Sequence, residues 1–185
     1  MADALAATWA RGAVLGGTSA GCALLPRFVY AASAGSIYSN EALANPYDAR
    51  MTLVRDVLSV PPLARVVTDT HFGARDRMGR LLAMTARVIA DGWSATPIGL
   101  GVDEQTALLV DDAGTGKVVG TGAVYAIVPQ HAPATCTSGA ALAWSDVPLY
   151  KLRSGDTIEL PVGTTSATAH TLSAAAGALS PANPY

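Results

Sequence analysis

A chain of 185 residues can fold as one domain with a substantial core. Its net charge of −2 gives no electrostatic case for nucleic acid, and no uninterrupted apolar run approaches membrane-spanning length. Cys22 and Cys136, the two cysteines, make neither a disulfide framework nor a metal site, and no cofactor is expected.

Leu5 and Trp9, four apart, predict a helix over the first ten residues, stopped at Gly12. Ala13-Val14-Leu15 reads as a short strand leading into Gly17-Thr18-Ser19-Ala20-Gly21, and a helix is expected from about Ala20. Between Ala31 and Pro62, asparagine and proline punctuate the chain, and only Met51 to Val60 carries an ordered apolar pattern. Arg65-Val66-Val67-Thr68 predicts a buried strand. A helix follows from about Arg75 to Ala90, with Met78, Leu81, Leu82, Thr85, Val88 and Ile89 on one face and Arg77, Arg80, Met84 and Arg87 on another. Gly92 ends it.

Ile98 to Val102 predicts another strand, with Thr106 to Val110 as its continuation or partner. Asp111 to Gly114 is a turn, Lys117 to Val128 is glycine-interrupted β, and Pro129 to Ser138 is loop. Val147 to Leu152 and Thr157 to Leu160 predict a last hairpin joined by Ser154-Gly155-Asp156. The domain is expected over 1–162. From Gly163 to residue 185 the chain is Ala, Ser, Thr, Gly and Pro, and a poorly ordered tail is expected. Strands alternating with helices over the first hundred residues imply a parallel sheet with helices on its faces, and sites in such sheets gather beyond the carboxyl ends of strands.

Ser19 occupies the third position of G-x-S-x-G, a pattern that turns the backbone sharply between strand and helix and exposes the hydroxyl. A serine hydroxyl needs a positioned base to become nucleophilic. His71 and Asp103-Glu104 each directly follow a predicted strand, so serine, imidazole and carboxylate converge at equivalent strand ends. His71 is expected as the base. Asp103 and Glu104 point to opposite faces if extended, so one can orient the imidazole, and Glu104 is favoured. The Ala20 N–H, one residue past the serine, supplies one oxyanion donor. A second donor should come from a glycine-rich loop after another strand, and only eighteen residues precede Ser19. Arg75, Arg77 and Arg80 read either as a carboxylate-recognition cluster or as an exposed basic face. His131 and His170 carry no expected role.

The ordered blocks Gly16 to Gly21, Asp69 to Leu81 (D-x-H-F-x-x-R-x-R-x-G-R-L) and Gly101 to Ala107 (G-x-D-E-x-T-A) resemble the cyanophycinase family of serine peptidases, relatives of aspartyl dipeptidase. The resemblance runs from about residue 3 to residue 162. It implies a three-layer α/β/α sandwich with a mainly parallel sheet, like class I glutamine amidotransferases, of which this chain is the C-terminal portion. It also implies Ser19 as nucleophile, His71 as base, Glu104 as third member, and Asp69, Thr70, Arg75, Arg77 and Arg80 around the substrate. Thr70 stands where the family pattern has glutamine. The implied activity is hydrolysis of aspartyl-containing peptides, such as β-aspartyl-arginine units, through an acyl-enzyme. The expected partner is a homodimer mate or a missing N-terminal half. An incomplete fragment acting only in assembly, or an esterase with the same triad, are the rival readings.

Overall fold

The computed structural model describes residues 2–160 and 162–185. Met1, in the expected first helix, and Pro161, in the expected domain, lie outside the described residues. In chain order the helices are α1 (Ala2–Ala10), α2 (Ala20–Leu24), α3 (Ser39–Ala44) and α4 (Met78–Ala90). The strands are β1 (Phe28–Tyr30), β2 (Leu53–Arg55), β3 (Val66–Thr70), β4 (Ile98–Val102), β5 (Thr106–Val110), β6 (Thr115–Gly120), β7 (Val124–Ile127), β8 (Trp144–Leu152), β9 (Thr157–Glu159), β10 (Thr164–Thr165), β11 (Ala169–Ala175) and β12 (Ala178–Ser180).

Eight strands form one sheet in the order β2-β1-β3-β4-β7-β8-β11-β12, and four form a second in the order β5-β6-β9-β10. Only the β1/β3 and β3/β4 pairs of the large sheet are parallel. From β4 outward every neighbour is antiparallel. The fold is therefore mixed α/β, and the sheet is not mainly parallel. Parallel neighbours are usually joined by a crossover helix, and after β4 the chain instead detours through the small sheet, by β5 and β6 and again by β9 and β10, and through a loop between β7 and β8.

Alternation along β3 and β4 sends residues to two different layers. Val67 and Phe72 pack with Met78, Leu81 and Leu82 of α4. Val66, Ile98 and Leu100 pack with Val118 and Ile158 of the small sheet and with Leu160 just past β9. The face opposite α4 thus carries an antiparallel sheet and the short α2 where helices alone were expected. Helix α4 is buried on every side from Met78 to Ala86: Arg80 and Met84, expected on a second face, are buried, and only Arg87 of that face in the helix is half-buried. Burial of its five large apolar side chains contributes about 1.5–3 kcal/mol each as an upper bound.

Three further expectations are corrected. Ala13–Leu15 pairs with no strand among the described residues, and Val14 is 94% exposed; the two edges of the large sheet are β2 and β12. The expected last hairpin does not form. β8 lies in the large sheet between β7 and β11, whereas β9 pairs with β6 and β10 in the small one. Residues 153–156 carry the chain between the sheets. The tail expected to be poorly ordered supplies β11 and β12. Leu172 and Ala174 bury on one face of β11, which is enough apolar alternation to seat a strand otherwise built of small residues.

Candidate active site

Ser19 caps the N-terminus of α2 with φ 50° and ψ −119°. A non-glycine residue at positive φ is strained and persists only when its surroundings hold it. Gly17 permits this turn: a Cβ there would lie 2.3 Å from the carbonyl carbon of Gly21. Thr68 on β3 donates to the Cys22 carbonyl at 3.0 Å, tying α2 to the sheet. The Ala20 N–H finds no acceptor among the described residues.

β3 and β4 end in register, with Thr70 opposite Val102, so the residues just beyond them emerge side by side. His71 also has positive φ, at 50°. Its Nδ1 lies 2.8 Å from Glu104 Oε1, and its Nε2 lies 3.1 Å from Ser19 Oγ. A carboxylate can only accept, so Nδ1 carries the hydrogen and Nε2 is left to accept from the serine hydroxyl. Asp103 does something else. Its Oδ1 accepts from Gly73 N–H at 2.9 Å and its Oδ2 from Ala123 N–H at 3.1 Å, stitching three loops together. Phe72, the neighbour of His71, is fully buried. It packs so closely on Gly101 that a Cβ there would meet its ring at 2.5 Å.

Asp69, Arg77 and Arg80 are brought together, but with one another. Arg80 Nη2 and Nε donate to Asp69 at 2.6 and 2.7 Å, and the Arg80 guanidinium lies over the Tyr30 ring. Arg77 donates to Asp69 at 3.3 Å and to the Thr70 carbonyl at 2.6 Å; burial lowers its pKa against the field of Asp69. Thus two of the three arginines expected near a substrate carboxylate are engaged inside the α4 layer. The exposed Arg75 makes no side-chain bond among the described residues. Thr70 faces the other way, with Ser19 and His71, into a trough of about 790 Å³ walled by apolar residues such as Leu15, Leu63, Leu100, Val102 and Leu108. Cys22 also lines it, and burial pushes its thiol pKa up. Among the described residues no group of His, Cys, Asp and Glu could hold a metal.

In a comparison with protein-family models, none matches the chain. Among curated proteins, a cyanophycinase of Synechococcus elongatus is 33% identical over 124 residues, covering 66% of this chain and 33% of that protein. A cyanophycinase of Geminocystis herdmanii is 28% identical over 139 residues, covering 75% of this chain and 45% of that one. This chain is a distant homologue of the cyanophycinases. It spans about a third of the length of the Synechococcus relative.

Sequence reasoning about a cyanophycinase-like chain missed several groups around His71. Among them are the stitching role of Asp103, Ser39, whose hydroxyl bonds the Asp76 carbonyl, and Tyr185. The Asp103 role had a usable signal, since a side chain just past a strand commonly takes up neighbouring backbone N–H groups. Ser39 and Tyr185 had none, lying 37 and 109 residues from Asp76.

Proposed function

We propose that this chain carries the reactive unit of a serine hydrolase with a class I amidotransferase-like core, acting on aspartyl-containing peptides. The observation that carries the reading is the continuous contact from Ser19 Oγ through the His71 imidazole to Glu104. Ser19 Oγ attacks the scissile carbonyl carbon while its proton passes to His71 Nε2. Glu104 holds the Nδ1 hydrogen and stabilises the imidazolium. The oxyanion faces the unengaged Ala20 N–H. Collapse of the intermediate breaks the C–N bond, and His71 returns its proton to the leaving amine. Water then hydrolyses the Ser19 ester by the same route reversed. Of the three arginines expected near the substrate, Arg75 alone is exposed and makes no side-chain bond among the described residues, so it is the one left to meet a substrate carboxylate.

Glu104 is 55% exposed and His71 26% exposed at the side chain, so water screens the pair. The apolar trough beside them is open and offers a surface on which a further polypeptide could seat. Closure would desolvate the unit and can bring the second oxyanion donor, worth about 3 kcal/mol of transition-state stabilisation.

The test is turnover of a β-aspartyl-arginine dipeptide against a simple carboxylic ester, with Ser19→Ala as control. Dipeptide cleavage lost in Ser19→Ala supports the peptidase. Ester turnover alone, equally lost in the variant, shifts the reading to an esterase. No Ser19-dependent turnover by the parent chain overturns it and favours a role in assembly alone, for which the open trough is the supporting feature.

A further inference from the structure

The turn from His71 to Met78 carries two non-glycine residues at positive φ, His71 at 50° and Asp76 at 47°. Strained backbone of this kind relaxes unless neighbouring groups over-determine it. Part of the restraint is local: Arg75 N–H donates to the His71 carbonyl, and Arg77 N–H to that of Phe72. The most distant contribution comes from the tail. After β11 the chain passes α3, where a Cβ added at Gly177 would lie 3.7 Å from Ala44. β12 and residues 181–185 then carry Tyr185 to the underside of the turn.

Tyr185 meets the turn in two ways. Its hydroxyl accepts from Met78 N–H at 2.9 Å and donates to Asp76 Oδ1 at 2.9 Å, bridging the strained residue and the first residue of α4. Its ring stands edge-on to Phe72 and Tyr125, with centroids 5.9 and 5.7 Å away. Phe72 adjoins His71 in the chain, so the Tyr185 wedge presses one peptide away from the imidazole. Burial pushes the Tyr185 pKa up, keeping the hydroxyl protonated and able to donate.

We infer that Tyr185 is a positioning residue for His71: segment 181–185 straps the 71–78 turn, and its aromatic wedge and hydroxyl bridge hold the imidazole in line between Ser19 and Glu104. This rests on the reading of Ser19 and His71 as nucleophile and base. A residue that only fills space would change stability without selectively slowing the step that needs the base.

The experiment uses the whole chain with Tyr185→Ala and Tyr185→Phe, read by amide hydrogen exchange and by fluorophosphonate labelling of Ser19. In Tyr185→Ala, exchange at Gly73, Asp76 and Met78 rises at least about tenfold while Leu100 and Ile127 are unchanged. The maximal labelling rate falls about tenfold with the half-saturating probe concentration unaltered. Tyr185→Phe keeps the ring, exchanges faster at Met78, and holds the labelling rate within about threefold of the parent. Unchanged exchange across 73–78, or an undiminished labelling rate in Tyr185→Ala, overturns the proposal. A rise in half-saturating concentration alone also does so, since it marks a binding role. Should Tyr185→Ala not fold, parent-like exchange at Met78 in Tyr185→Phe overturns it instead. If Ser19 of the parent chain takes no label, the hydrolase reading fails, and with it the positioning role, while the exchange data separately decide whether Tyr185 straps the turn.

Discussion

The Ser19 hydroxyl and the His71 imidazole each sit on a residue at positive φ, so reactivity at this site is bound up with local strain. Relief of that strain would swing either group out of reach. Glu104→Gln removes the acceptor charge from His71 Nδ1. Because Glu104 is more than half exposed, the fall in Ser19 labelling should be about 10–100-fold, less than for a buried acid. Asp103→Asn, by contrast, should act through structure. It turns an amide NH2 toward either Gly73 or Ala123 N–H, leaving that donor without an acceptor, and costs about 1–2 kcal/mol in denaturant melts. Equal effects of the two substitutions on stability and labelling would contradict this division of labour. Cys22 cannot replace the serine: its raised pKa keeps the thiol protonated, so it should alkylate more slowly at neutral pH than a free cysteine.

At the level of elements, α4 is held to the sheet by the buried Arg80–Asp69 pair as well as by its apolar face. Arg80→Ala leaves the buried Asp69 carboxylate with only the longer Arg77 contact as a cationic partner and should destabilise the fold by about 3 kcal/mol in urea denaturation. β11 offers a second check. Leu172→Ala opens a cavity under a strand of small residues and should cost about 2–4 kcal/mol, whereas a loosely held tail would lose almost nothing. The elements differ in how much of them the sequence revealed. α4 and the strands around Val67 and Leu100 were legible from periodicity, because their burial patterns are regular. The three residues brought together around His71 were legible because each follows a strand-like or glycine-rich stretch. β11 was hidden by its alanines, serines and threonines, and its partners on β8 run from Tyr150, opposite Ala169, to Trp144, opposite Ala174, with β9 and β10 between the two strands in the chain. The assignment of β8 and β9 to different sheets was equally hidden, since the turn signal Ser154-Gly155-Asp156 is the same whether a hairpin closes or the chain changes layer.

For the molecule as a whole, the dominant feature is the two-sided large sheet. Its α3/α4 face is sealed, and part of its other face is sealed by the small sheet, but beside Ser19 it opens into the apolar trough. Contiguous apolar surface of this kind marks a place for another surface, and Leu109 on its rim is 57% exposed. If further polypeptide covers it, supplying that polypeptide should bury the trough and accelerate Ser19 labelling; a second copy seated there would instead give a dimer by sedimentation that Leu109→Lys disperses. The central claim is narrower and rests on three groups in contact. Its most direct measurement is fluorophosphonate labelling of the whole chain, with the modified peptide identified by mass. The account predicts a single adduct on Ser19, absent in Ser19→Ala and slowed at least about a thousandfold in His71→Ala. An adduct at another residue, or labelling of Ser19 undiminished by loss of the imidazole, would contradict it.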